Sequence, residues 1–79
     1  MLQTLLSLRQ GEYGYVQKLT AEKAMKERFL DLGLFKNAKV LCRFGPMKKG
    51  IRVYEIGGSL FAIRNKDAKT IWIERQEQA

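Results

Sequence analysis

Histidine is missing from this chain altogether, cysteine and proline occur once each, and between Leu32 and Tyr54 there is not one carboxylate. Each gap excludes something. Without histidine there is no Ser-His or Cys-His pair and no imidazole for a metal, and no G-x-x-x-x-G-K-[ST] segment is present to cradle a nucleotide. A lone cysteine cannot close an internal disulfide, which fits a reducing compartment. No apolar run approaches the ~18 residues of a membrane helix. Met1 to Leu8 is broken by Gln3, Thr4 and Ser7, and it has neither the basic start nor the cleavage site of a secretory signal. The expectation is a cytoplasmic binding or regulatory protein, not an enzyme, with no cofactor and no catalytic residue.

What is present suits one domain spanning residues 1–79, with 75–79 reading as a polar tail that frays. Hydrophobic residues make up 46% and charged residues 29%, an ordinary globular balance. The net charge of +7 is concentrated in the acid-free stretch, which holds Lys36, Lys39, Arg43, Lys48, Lys49 and Arg52. Such a field attracts nucleic acid, anionic lipid or an acidic protein surface. Lysines placed to keep a hairpin soluble and its edges unpaired would read the same way.

Gly11 and Gly14 punctuate the start, so the pattern predicts a short strand over Leu5–Leu8, a turn, and a strand through about Leu19. Thr20 reads as a helix N-cap, followed by an apolar stripe of Ala21, Met25, Phe29 and Leu32 at helical spacing. Gly33 is placed to close that helix in the left-handed conformation. Val40, Cys42 and Phe44 then alternate with Lys39, Leu41 and Arg43, the mark of a half-buried strand. A return strand over Ile51–Ile56 leads into a Gly57-Gly58 hairpin turn and a strand over Ser59–Arg64. Asn65 to Ala68 reads as one helical turn capped by Asn65, and Thr70–Glu74 as the closing strand. About five short strands with one inserted α-helix describe a mainly β fold, a small, partly open barrel of the SH3 type.

The order and spacing of several pieces carry more than any one of them. They are Leu8 with Gly11, then Gly14-Tyr15-Val16, then Arg28-Phe29-Leu30-Asp31-Leu32-Gly33-Leu34, and later Val40, Pro46, Val53, Gly58, Ala62-Ile63-Arg64, Ala68 and Ile71. Together they resemble the ferrous-iron transport protein A (FeoA) family over nearly the whole chain, from about Leu5 to Ile73. The resemblance implies an SH3-like barrel and a small accessory of ferrous-iron uptake. It also implies a FeoB-type membrane permease, or its cytoplasmic domain, as partner, and transition metal ion binding at the level of the family. Where the family tends to have Pro-Gly after the helix, this chain has Lys36-Asn37, and Asn is the residue after glycine that best tolerates the left-handed conformation.

Candidate sites follow from the alternation. If Val40, Cys42 and Phe44 turn inward, then Lys39, Leu41 and Arg43 turn outward. With Lys48, Lys49 and Arg52 on the neighbouring hairpin they form a candidate partner-binding face, the cations setting approach rate and the leucine adding burial. Leu41 fits equally well beneath the helix or the first strand. The same cations near a membrane give weak, reversible attraction to anionic lipid, a peripheral placement at its inner face. Cys42 reads as a buried, inert thiol, and Glu27 with Asp31 at i,i+4 lacks a third ligand, so no metal residue is assigned. Arg64 reads as structural, bonding backbone carbonyls or the carboxylate of Asp31 or Asp67. Two alternatives stand beside the accessory role: a basic barrel that binds nucleic acid, with Trp72 and the tyrosines as stacking platforms, and a self-associating regulatory domain.

Overall fold

A computed structural model describes residues 1–47 and 50–76, so Lys48, Lys49 and the end of the tail at 77–79 lie outside the described residues. Among the described residues six strands form one antiparallel sheet: β1 (Leu2–Thr4), β2 (Tyr13–Leu19), β3 (Lys39–Met47), β4 (Ile51–Ile56), β5 (Ser59–Arg64) and β6 (Ile71–Arg75). Their spatial order is β1-β6-β2-β3-β4-β5, so β1 and β5 are each paired on one side only and the barrel stays open between them. Helix α1 (Lys23–Leu32) joins β2 to β3, and the single turn α2 (Asn65–Ala68) joins β5 to β6.

The sheet has one strand more than the expected five, because β1 pairs with β6 ahead of the segment read as the first strand. Leu5–Ser7 is instead a 3₁₀ turn. Leu5 and Leu8 are both fully buried. Residues three apart share a face in a 3₁₀ turn, whereas in a strand they would point to opposite faces.

The core is built by alternation. Val16 on β2, Val40 and Cys42 on β3, Tyr54 and Ile56 on β4, Ile63 on β5, and Ile71 and Ile73 on β6 all turn inward and are buried. Helix α1 adds Phe29, with Met25 and Leu32 half-buried beside it, three of the four residues of the expected stripe; Ala21 packs against the core from ahead of the helix, which begins at Lys23. Gly33 ends the helix at φ 105°, and Gly57 and Gly58 turn the β4–β5 hairpin at φ 59° and 85°, values that favour glycine. Asn37 takes φ 70°, the left-handed role expected of it, and its side-chain oxygen accepts a bond from Gln17 Nε2 at 3.1 Å.

Four local expectations are corrected. Phe44 faces out and is 46% exposed, because a bulge between Cys42 and Phe44 advances β3 by two residues while β4 advances by one, from Tyr54 to Val53. That step flips Phe44 to the outer face. Thr20 is not a cap: its N–H donates to the Thr70 carbonyl at 2.8 Å, continuing the β2–β6 pairing, and its hydroxyl accepts from Trp72 Nε1 at 3.2 Å. The helix starts later, with Glu22 at the N-cap position and no side-chain cap bond. Asn65 does not cap α2, whose N-cap position is Arg64. The tail begins later than expected, since β6 runs to Arg75 and the Gln76 N–H donates to the Tyr13 carbonyl at 3.0 Å.

The guanidinium expected at Arg64 is found at Arg52. Arg64 is exposed and makes no ion pair or side-chain hydrogen bond among the described residues. Arg52 lies on β4 two residues before Tyr54 and shares its inward face. Its Nη1 donates to the carbonyls of Leu8 at 2.9 Å and Leu6 at 3.2 Å. Gly45 makes room for the stem, since a Cβ there would sit 2.7 Å from Arg52 Cγ. Beside it the Tyr54 phenol is fully buried and pushed up to about 12, chiefly by burial, with Cys42 adding to the shift and Arg52 opposing it. Hydrogen bonds from a charged donor to half-buried carbonyls are each worth about 1.5–3 kcal/mol. Replacing Arg52 with Met should therefore lower unfolding stability by about 2–3 kcal/mol in urea titrations, and Arg64→Met should change it by less than about 0.5 kcal/mol. Equal effects of the two substitutions would show that the contacts of Arg52 carry no special weight.

Candidate functional site

Strands β2 and β3 are paired so that Tyr13 lies opposite Leu41 and Tyr15 opposite Lys39. Because these positions alternate with the buried Gly14, Val40 and Cys42, all four side chains occupy the outer face of the sheet. Leu41 is half-buried there and also lies opposite Glu55 on β4. Its place is thus the outer face, one of the two positions its sequence context left open.

The cations on this face are held in place. Lys39 Nζ stands 4.3 Å from the centre of the Tyr13 ring, and that ring meets Tyr15 edge-on at 6.0 Å and 85°. Arg43 Nη1 pairs with Glu55 Oε1 at 3.2 Å while its guanidinium lies 6.0 Å from the ring of Phe44. Phe44 and Leu41 border a shallow depression of about 280 Å³ with Gln10 and Gly11. At the margin Glu12 is ion-paired with Arg75, and its carboxyl is held below the usual range, first by the Arg9 backbone N–H at 2.7 Å and then by Arg75. An aromatic and cationic surface of this kind fits a macromolecular contact, since tyrosine and arginine recur among the residues that dominate interface energies.

The candidate residues fall into three groups. Lys39, Leu41 and Arg43 are brought together on one face. Arg52 is turned away from it, toward the Leu6 and Leu8 carbonyls. Lys48 and Lys49 lie outside the described residues. Tyr13, Tyr15 and Phe44 are contributions that the reading of charge alone missed. The signal for the tyrosines was available in the odd-numbered alternation of Tyr13 and Tyr15 around Gly14, while that for Phe44 was hidden by the bulge.

Cys42 is fully buried, and burial pushes its thiol upward, with Arg52 opposing. Glu27 and Asp31 are exposed on α1. Among the described residues no three His, Cys, Asp or Glu side chains gather where one ion could bind them, and no helix is long and apolar enough to cross a membrane.

Comparison with known proteins places this geometry in context. The FeoA domain matches residues 3–75. A Campylobacter jejuni protein named Fe(2+) transport protein A is 31% identical over 68 residues, covering 86% of this chain and 92% of that one. Among solved structures, a crystal structure of an iron uptake regulatory protein, FeoA, superposes with a TM-score of 0.83 over 96% of this chain and 99% of its own, at 20% identity. A zinc complex of FeoA from Stenotrophomonas maltophilia, an SH3-domain protein, reaches 0.76 at 28% identity over 91% and 89%. The SH3-like, mainly β architecture expected from the strand pattern is the one observed.

The raised thiol gives a direct check. In the native protein the thiolate fraction of Cys42 at pH 8 is lower than in the unfolded chain, and the sulfur is covered. A thiol reagent such as Ellman's should therefore label the folded protein at least about a hundredfold more slowly than the urea-unfolded protein. Comparable rates would contradict the burial.

Proposed function

The chain belongs to the FeoA family, and from that premise we propose that it is a non-enzymatic accessory of ferrous-iron uptake, working on the cytoplasmic side by docking on a FeoB-type permease. The contact surface is the outer face of β2 and β3, with Tyr13, Tyr15, Lys39, Leu41 and Arg43 as its centre. One observation supports this most strongly: Lys39 and Arg43 are pre-positioned against aromatic rings around a half-buried leucine. Side chains already ordered in the free protein lose less entropy on binding, so more of the contact energy appears as affinity.

The division of labour among the cations follows from their surroundings. Lys39 and Arg43 meet the partner, and the remaining excess positive charge, Lys48 and Lys49 included, steers approach to an acidic domain and to the anionic leaflet beside it. Arg52 acts indirectly, by fixing the frame that carries the face. The C. jejuni protein is named for Fe(2+) transport, and the same role is assigned here.

Calorimetric titration against the soluble cytoplasmic domain of the cognate permease tests the reading, with an oligonucleotide as control. Saturable binding to the domain is expected, weakening with salt, and the pair Lys39→Glu with Arg43→Glu should reduce affinity about tenfold or more at low salt. Unchanged affinity in that variant would remove the face from the contact. Binding to the oligonucleotide alone, with steep salt dependence, would replace the accessory role by nucleic-acid binding.

A further inference from the structure

A second surface shares no residue with that face. Helix α1 and strand β5 stand on either side of a cleft of about 310 Å³. Met25, Phe29 and Leu32 supply an apolar wall from the helix, and Ala62, Ile63 and Arg64 border it from the strand. Three consecutive strand residues cannot all line a cleft with one face, because neighbours point to opposite sides. The cleft is therefore bordered by the edge of β5, and among the described residues that edge is unpaired: β5 stands last in the sheet, with β4 as its one strand neighbour. An edge of this kind presents N–H and C=O groups at the spacing of an added strand.

The rim is cationic. Arg28 and Arg64 stand on its two sides, Lys66 at its end, and Asp67 is the one acid in the lining. None of the three cations takes part in an ion pair or side-chain hydrogen bond among the described residues. This differs from the β2–β3 face, where Lys39 and Arg43 already have neighbours. Uncommitted guanidinium groups on both sides of a strip of apolar floor and bare strand edge match one chemistry: an extended chain that alternates apolar and acidic side chains.

We propose that the α1–β5 cleft binds an acidic, extended segment of a partner protein, which adds to β5 as a further strand. Its apolar residues face Met25, Phe29 and Leu32, its backbone pairs with residues 60–64, and its carboxylates reach Arg28 and Arg64. Addition of a strand to an open edge is an established way for a domain to bind a peptide, with backbone bonds giving affinity and side-chain pockets giving selectivity. A second copy of this chain is disfavoured as occupant, since at +7 it would bring like charge to a cationic rim.

The test uses the full chain, isotope-labelled, titrated with a short capped peptide of alternating valine and glutamate, and with its valine–lysine counterpart as control. The glutamate peptide should shift the amide signals of Arg28, Leu32 and Lys66 and protect β5 amides from hydrogen exchange, and the lysine peptide should do neither. The variant Arg28→Glu with Arg64→Glu, both exposed positions, should keep a native spectrum and lose affinity about tenfold or more. No binding, equal binding of the two peptides, survival of binding in the charge-reversed variant, or shifts centred on Tyr13 and Lys39 would each overturn the proposal. So would protection of β5 that rises with protein concentration in the absence of peptide, which would make a second copy the occupant. Because the permease domain is absent from this experiment, its outcome is separable from that of the docking face.

Discussion

The two bonds from Arg52 to the carbonyls of Leu6 and Leu8 bridge the opening in this barrel. The sheet begins at β1 and ends at β5, and among the described residues no backbone pairing joins the two. Leu6 and Leu8 follow directly on β1, and Arg52 sits on β4 beside β5, so one guanidinium ties the two ends of the sheet where strands do not. Leu5 and Leu8 can then stay in the core that also holds Tyr54 and Ile63, and backbone carbonyls in a non-strand segment gain partners. Gly45 serves the same end by leaving space for the arginine stem.

How much of this could be read from the sequence depended on whether a local rule or a tertiary contact decided each residue. The helix stripe, the Gly33 stop, the left-handed Asn37 and the Gly57-Gly58 turn were legible because each is set by the chain within a few residues. The SH3-like architecture followed from their order. Phe44 was not legible, since a bulge in β3 changes the side-chain parity and nothing near Phe44 in sequence announces it. Thr20 obeyed its cross-strand partner Thr70 in place of its helix. The exchange of roles between Arg52 and Arg64 has the same origin: both lie in apolar strands, and only the path of the N-terminal segment decides which guanidinium finds carbonyls.

The candidate site shows the same division. Lys39, Leu41 and Arg43 share a face by simple alternation, so the centre of the site was readable. The tyrosines opposite them came from a different strand, and their contribution depended on the β2–β3 register. What emerges is a small frame with two different basic surfaces. On one, cations are ordered against aromatic rings on a paired sheet. On the other, they line a cleft beside the strand at the end of the sheet. The first suits a folded partner with a formed surface, whereas the second suits an extended chain that gains its order on binding.

In the proposed role the protein meets the permease through the outer face of β2 and β3. Nuclear magnetic resonance mapping of the labelled protein in the presence of the permease's cytoplasmic domain tests it most directly, because every amide reports at once. The largest changes are expected at Tyr13, Tyr15, Lys39, Leu41 and Arg43, with the interior of β4 around Arg52 and Tyr54 unperturbed. Changes confined to other surfaces, or none at concentrations well above those of a specific complex, would contradict it.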